Sequence, residues 1–455
     1  MTIYHNCKKN LIGQKRWEVW NDNIPNYENI LYNEKMAGIE KKSDFQKKLL
    51  NRFLKYTKIW TTSDSANADA QIFPSTENQQ IFAQNLKEEL SSLGLENVQV
   101  TEKSYVYAIL KATEGFENSP SFCLLSHLDT SEEVSGKNVN PQVFENYDGS
   151  LISLENISID SSGDEELSKI ANTGDTLITT DGTTLLGADD KAGVAEIITA
   201  VEFLIQNKIP HGDIEILFSP DEETGHGMDF VPLNLLKSKH AYTVDGGSQG
   251  ELETECFNAS SATVTFFGKS THTGTARKQK MINAVMMASK FLENLPHTEF
   301  PETTDGYEGF FAPIEISGSV EKAQVYILLR DFEESGIEKR IFQIKKIAES
   351  VEFATGGKVS VQIKEQYKNM KNALEKSPET VELLKKAYEN SGIMPNFIPI
   401  RGGTDGSRLS EMGIPTPNIF TGGHNFHSRF EWASLNQMTQ AVNVLINLAI
   451  LHQKL

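Results

Sequence analysis

The sequence predicts an α/β fold: a main domain with a mixed, largely parallel twisted sheet flanked by helices, interrupted by an inserted ferredoxin-like α+β lid domain. Three observations lead there. Short apolar runs alternate with longer stretches of helical period through most of the chain. Acidic and histidine-bearing motifs fall just past the ends of those runs, where open α/β sheets keep their ligands. Between about 257 and 368 the order becomes β-α-β-β-α-β, the split arrangement of ferredoxin-like domains. At 455 residues the chain exceeds one ordinary core. The expected division is an irregular N-terminal arm at 1–42, a main domain formed by 43–256 with 369–455, and the insertion at 257–368.

Taken in order, residues 1–42 show no periodicity. Met36 within them is a candidate natural start. Asp44 has the character of an N-cap, with Phe45, Leu49, Leu50, Phe53 and Leu54 following at helical spacing. A second amphipathic helix is expected near 76–93, a strand or hairpin over 98–112, and a short apolar strand over 121–128. Residues 135–180 are mostly polar and read as a long excursion with short strands. A helix over 191–206 has Val194, Ile197, Ile198, Val201, Leu204 and Ile205 as a broad apolar face. Strands follow at 214–218 and 241–244. Inside the insertion, strands are expected at 262–267, 312–316, 325–329 and 359–363, with helices at 281–295 and 337–353. The first pattern then resumes with a helix at 379–390, strands near 397–400 and 418–421, and a closing helix at 435–451. Residues 402–406 are expected to cap a short helix.

Composition narrows the functional classes. Hydrophobic residues at 38% and charged residues at 23% fit a soluble globular protein. A net charge of −19 argues against nucleic acid or an anionic membrane as the main partner. The three cysteines, Cys7, Cys123 and Cys256, are far apart, form no zinc-finger spacing and suit a reducing compartment. No stretch reaches the length of a membrane span and the N-terminus has no apolar signal region, so the expected location is the cytoplasm.

Five short motifs share one chemical character: His127-Leu128-Asp129, Asp189 in Gly187-Ala188-Asp189-Asp190, Glu222-Glu223, Asp245 in Asp245-Gly246-Gly247, and His427. Alone, each has a plainer explanation: an N-cap, a solvated turn, a surface histidine. Together they form an oxygen-rich set with two imidazoles, which suits zinc, manganese or cobalt better than a thiolate site does. Two ions a few ångströms apart need a bridging carboxylate and about two other ligands each. His127, Asp189 and Asp245 are assigned to one, and Asp189, Glu223 and His427 to the other. Glu222 is left beside a ligand, free to act as general base. Asp129, two residues from His127 on a strand, faces the same side and orients that ring.

On these residues the chain resembles the peptidase T family of tripeptide aminopeptidases, within the larger group of two-zinc exopeptidases that includes aminoacylases and carboxypeptidases. The segments that carry the resemblance are 126–131, 136–141, 179–195, 220–223, 241–247, 401–406 and 421–427, and the likeness spans roughly 44–455. It implies a metal-dependent aminopeptidase acting on tripeptides with two Zn2+ ions per chain (Mn2+ or Co2+ in their place). The same ligand, base and orienting roles are implied. It adds His272 as an oxyanion-holding residue and Arg330 and Arg401 as a grip on the peptide's C-terminal carboxylate. It also implies a cis peptide at Asp189–Asp190 and pairing of subunits through the insertion. The alternative is a dipeptidase or N-acyl-amino-acid amidohydrolase of the same group. Thr273, Ser428 and Arg408 depart from the family's usual residues without removing a ligand.

Overall fold

A computed structural model describes residues 39–453, with side chains from Asp44 onward. Of the irregular arm expected at 1–42, residues 1–38, with Cys7 and Met36, lie outside the described residues, while 39–42 are helical, within Ile39–Thr57. The described residues from Leu49 onward form one compact unit.

The main sheet has eight strands. Their order is Glu96–Val100, Val106–Leu110, Ile214–Ser219, Phe122–His127, Ala241–Gly246, Asn418–Phe420, Glu251–Cys256 and Asn396–Ile400. Its centre is parallel: Phe122–His127 pairs in that sense with both Ile214–Ser219 and Ala241–Gly246, and the latter with Asn418–Phe420. The Glu96–Val100 edge is antiparallel. The central strands are buried on both faces, and their runs rich in Ile, Leu and Phe reflect that. Because they run the same way, His127 and Ser219 stand opposite each other in register. Asp245 closes the neighbouring strand at the same end. The parallel register therefore collects motifs scattered over some hundred residues onto one sheet edge.

The helix expected at 191–206 runs Ala188–Gln206, with non-helical backbone at Asp189 and Asp190. It packs on Phe122–His127, on Ala241–Gly246 and on the closing helix Leu435–His452. Gly193 makes this approach possible, since a Cβ there would lie 1.9 Å from Val244 O. A four-stranded sheet beside the main one orders Gly423–His424, Trp432–Ser434, Leu177–Thr179 and Gln142–Phe144. Trp432 pairs with Thr179, so the loop bearing His427 lies against the segment that leads into Asp189.

The other four-stranded sheet has the order Phe310–Gly318, Lys322–Asp331, Asn258–Phe267, Lys358–Tyr367, with every pair antiparallel. Helices Ala284–Glu293 and Glu334–Thr355 cover one face. They share a core with Val264, Phe266, Val325, Ile327 and Leu329. This is the expected ferredoxin-like order.

Three local expectations are corrected. Asp44 is not an N-cap: its helix is Ile39–Thr57, begun five residues earlier. A short helix, Glu165–Ile170, lies in the excursion for which short strands were expected, capped by Asp164 through Leu167 N–H at 3.0 Å. The strand Glu251–Cys256 is an addition to the expected elements. Glu253 is buried and accepts from Asn418 Nδ2 at 2.6 Å, a tertiary pairing that local sequence does not contain. From the close approach at Gly193, Gly193→Ala is expected to lower stability by ~1–3 kcal/mol through overpacking, read as a lower midpoint in denaturant unfolding.

Candidate metal centre

The structure brings all five motifs together. His127 Nε2 lies 2.8 Å from Asp189 Oδ1 and 3.5 Å from Asp245 Oδ1. His427 Nε2 lies 3.1 Å from Asp189 Oδ2 and 3.0 Å from Glu223 Oε2. Asp189 thus presents one oxygen to each imidazole. Two triads, His127–Asp189–Asp245 and Asp189–Glu223–His427, each have donor atoms within 4.8 Å of one another. The peptide bond between Asp189 and Asp190 is cis.

The supporting contacts explain why these side chains meet. Asp129, fully buried, accepts from the backbone N–H groups of Glu222 and Glu223 at 3.1 Å each. Its Oδ1 also lies 3.3 Å from His127 Nδ1. One carboxylate therefore stands at the histidine and holds the loop that carries the two glutamates. Asp221, left-handed at φ 57, is gripped by Ser75 and by Gln79, whose Nε2 donates at 2.6 Å. Asp190 has a different task from its neighbour: it accepts from Ser126 Oγ, from His127 N–H at 3.1 Å and from Gly193 N–H at 3.2 Å. It ties strand to helix, in keeping with a cap.

Sequence reasoning missed three acidic residues here. Glu431, 1% exposed, accepts from four consecutive backbone N–H groups, those of Leu186, Gly187, Ala188 and Asp189. Glu133 Oε2 lies 3.1 Å from His427 Nδ1, on the far side of that ring from Asp189. Asp405, at the start of helix Asp405–Glu411, is buried and accepts from Ser219 Oγ. The signal for Glu431 was its place between Phe430 and Trp432, where a charge is out of character with an apolar run.

The remaining candidates make their hydrogen bonds, among the described residues, with groups outside the triads. His272 is exposed and accepts from Gly274 N–H at 3.2 Å. Among the described residues none of its hydrogen bonds reaches a triad residue. Arg330 Nη1 donates to Ser260 O, Leu329 O and Gln366 Oε1 at 2.9–3.2 Å. Arg401 spreads its guanidinium over Thr304, Gly306 and Glu308, with its shortest bond 2.7 Å to Gly306 O.

Electrostatics show what the cluster demands. Burial alone would discharge the imidazoles, yet Asp245, Asp129 and Asp189 outweigh it and hold His127 well above the usual histidine range. Burial likewise opposes charge on His427, but Asp189 and Glu223 carry it to about 11. Burial drives Glu223 up to about 7 and Asp245 to about 6. Asp189 goes the other way: burial would raise it, but the two imidazoles hold it below the usual carboxylate range. Without cations, the site balances its carboxylates with imidazolium protons. Glu223 Oε1 is buried and has no hydrogen-bond partner among the described residues. An orphan carboxylate oxygen beside two imidazoles fits divalent metal, with harder O and N donors suited to zinc, manganese or cobalt.

Strand-end carboxylates and histidines around a shared aspartate, on an α/β sheet with an α+β insertion, define a candidate two-metal hydrolase. The family model described as peptidase family M20/M25/M40 matches residues 180–450. A Clostridium perfringens protein named Peptidase T is 48% identical over 405 residues, covering 88% of this chain and 98% of its own. Two solved structures share the fold. An aminopeptidase from Bacillus cereus has a TM-score of 0.69 at 22% identity, covering 90% of this chain and 98% of its own. A tripeptidase from Staphylococcus aureus has 0.71 at 21%, covering 90% and 99%. The chain belongs to peptidase family M20/M25/M40 and, within it, to the peptidase T group. It is therefore an enzyme that hydrolyses peptide bonds. No helix among the described residues is long and apolar enough to cross a membrane.

Two expectations follow. Asp189→Ala should abolish paired metal binding, while Asp190→Asn should keep metal stoichiometry but lower the unfolding midpoint; elemental analysis and thermal melts separate them. Ligating imidazoles must be neutral, whereas His127 and His427 hold protons at neutral pH when no ion is bound. Metal binding should then release protons, and affinity should fall with falling pH by about tenfold per unit for each proton released. Calorimetric titration in buffers of different ionisation enthalpy measures that number.

Proposed function

We propose that this enzyme releases the N-terminal residue from tripeptides, with two zinc ions and Glu222 as general base. The observation that carries the reading is the shared carboxylate: Asp189 offers one oxygen to each imidazole, 2.8 Å and 3.1 Å away. The relative named Peptidase T, matched over nearly its whole length, supports the substrate class.

His127, Asp189 and Asp245 would hold one ion, and Asp189, Glu223 and His427 the other. When bound, the pair supplies Lewis acidity toward the peptide carbonyl and makes a water more acidic. Glu222 belongs to neither triad, and its backbone N–H is fixed by Asp129. Burial pushes its carboxyl well above the usual range, the direction in which a carboxylate becomes a stronger base. Its carboxylate takes the proton of the attacking water and then passes it to the leaving amine nitrogen. Asp129 keeps the His127 ring in place throughout.

His272 steadies the oxyanion, and Arg330 and Arg401 receive the peptide's far carboxylate in this reading. Arg330 alternates with Ile327 and Leu329, which sit in the helix-covered core, so it belongs to the opposite face of the inserted sheet, where it is buried over the Tyr367 ring. His272 lies on an exposed loop of the same insertion, so its role needs residues 257–368 to close on the substrate as a lid domain. Subunit pairing through those residues belongs to the same proposal, and light scattering reads it as a doubled particle mass.

The test is hydrolysis of Ala-Ala-Ala, Ala-Ala and acetyl-Ala, with and without a chelator. Cleavage of the tripeptide alone, lost on chelation and restored by zinc, is expected. Equal rates on Ala-Ala or on acetyl-Ala would replace the reading with a dipeptidase or an N-acyl-amino-acid amidohydrolase. Glu222→Gln should lower kcat by about 10²–10⁴ while elemental analysis still finds both ions.

A further inference from the structure

Glu431 accepts from four successive backbone N–H groups beside the site, and neither triad uses it. Its Oε2 accepts from Leu186 N–H at 2.6 Å and Gly187 N–H at 2.8 Å; its Oε1 accepts from Ala188 N–H at 2.7 Å and Asp189 N–H at 3.2 Å. Gly187 is left-handed at φ +79, which curls successive N–H groups toward one point. The resulting concavity is an anion-binding shape, filled here by a side chain more than 240 residues away in the chain.

An ordinary helix cap does not account for it. The regular helix begins after two residues of non-helical backbone, Asp189 (φ −83, ψ 103) and Asp190 (φ −121, ψ 34). Asp190 already serves that start, accepting from Gly193 N–H three residues on. Glu431 is spent instead on the segment before it, which ends in the shared ligand. Glu431 also lies four residues after His427 and next to Trp432, which pairs with Thr179. One carboxylate thus fastens the loop of His427 to the backbone of Asp189.

We propose that Glu431 is a positioning residue that shapes the 186–189 backbone before any metal binds, so that Asp189 stands between the two imidazoles. This rests on the reading of Asp189 as the shared ligand. Its loss weakens chiefly the ion held by Asp189, Glu223 and His427, because Glu431 fastens the loop of His427 as well as the backbone of Asp189, whereas His127 and Asp245 stand on strands of the main sheet. A Gln at 431 keeps the shape but turns an NH2 group toward two N–H donors. An Asp keeps both acceptor oxygens one methylene further back.

The experiment compares wild type, Glu431→Gln and Glu431→Asp by zinc calorimetry and by the visible spectrum of cobalt-substituted protein. Expected for Glu431→Gln are one ion bound as in wild type and the other at least about tenfold more weakly. Its cobalt spectrum should lose one component, kcat should fall with KM within about twofold, and Glu431→Asp should recover part of the second site. Wild-type binding of both ions by Glu431→Gln would overturn the proposal. Should the variants fail to fold, hydrogen exchange on metal-free wild type decides. Slow exchange of the 186–189 amides without metal supports preorganisation by Glu431, whereas protection that arises only on adding zinc overturns it. A wild type that binds no metal would instead sink the reading of the site, and the exchange result would stand apart from that.

Discussion

The bridging position of Asp189 is the constraint on which this structure depends. A carboxylate shared by two imidazoles, with Asp245 and Glu223 beside it, concentrates negative charge away from water. Such a cluster is costly unless cations or protons compensate it. In the metal-free protein the compensation is imidazolium, which is why both histidines are held above their ordinary range and Asp189 below its own. The surrounding architecture is what keeps mutually repelling groups within reach of one another.

That architecture has two parts. The parallel strands Phe122–His127, Ile214–Ser219 and Ala241–Gly246 bring His127, the Glu222–Glu223 loop and Asp245 to one edge. The smaller sheet, through Trp432–Ser434 and Leu177–Thr179, brings the loop of His427 against the approach to Asp189. Buried carboxylates join the parts: Asp129 pins the glutamate loop, Asp190 fastens strand to helix, and Glu431 grips the backbone ahead of Asp189. Each answers backbone N–H groups that burial would otherwise leave unpaired. Structural acids and candidate ligands are thus interleaved, and neighbours in sequence have separate tasks.

Most of the fold was legible because its signals are local. Apolar runs marked the central strands, helical period marked Ala188–Gln206 and Leu435–His452, and the element order between 258 and 367 marked the ferredoxin-like sheet. What escaped was decided by partners far along the chain. Glu251–Cys256 takes its place in the sheet between Asn418–Phe420 and Asn396–Ile400, and the burial of Glu253 there depends on Asn418, a partner far along the chain. The start of Ile39–Thr57 was misplaced because a polar residue suited to capping sits equally well inside an exposed helix turn.

The donor set followed from residue type and strand-end position, since metal chemistry selects imidazole and carboxylate whatever the path of the chain. The same two groups of donors that the sequence suggested come together in the structure, the atoms of each within 4.8 Å of one another. The tertiary structure decided how the set is held. Glu431 and Glu133 act across more than two hundred residues, and their role exists only once the loops of His427 and Asp189 are packed together. It also placed Arg330 and Arg401 on protein acceptors and His272 on an exposed loop. Residue type selects the chemistry of a side chain, but whether it meets its partner depends on packing between distant segments.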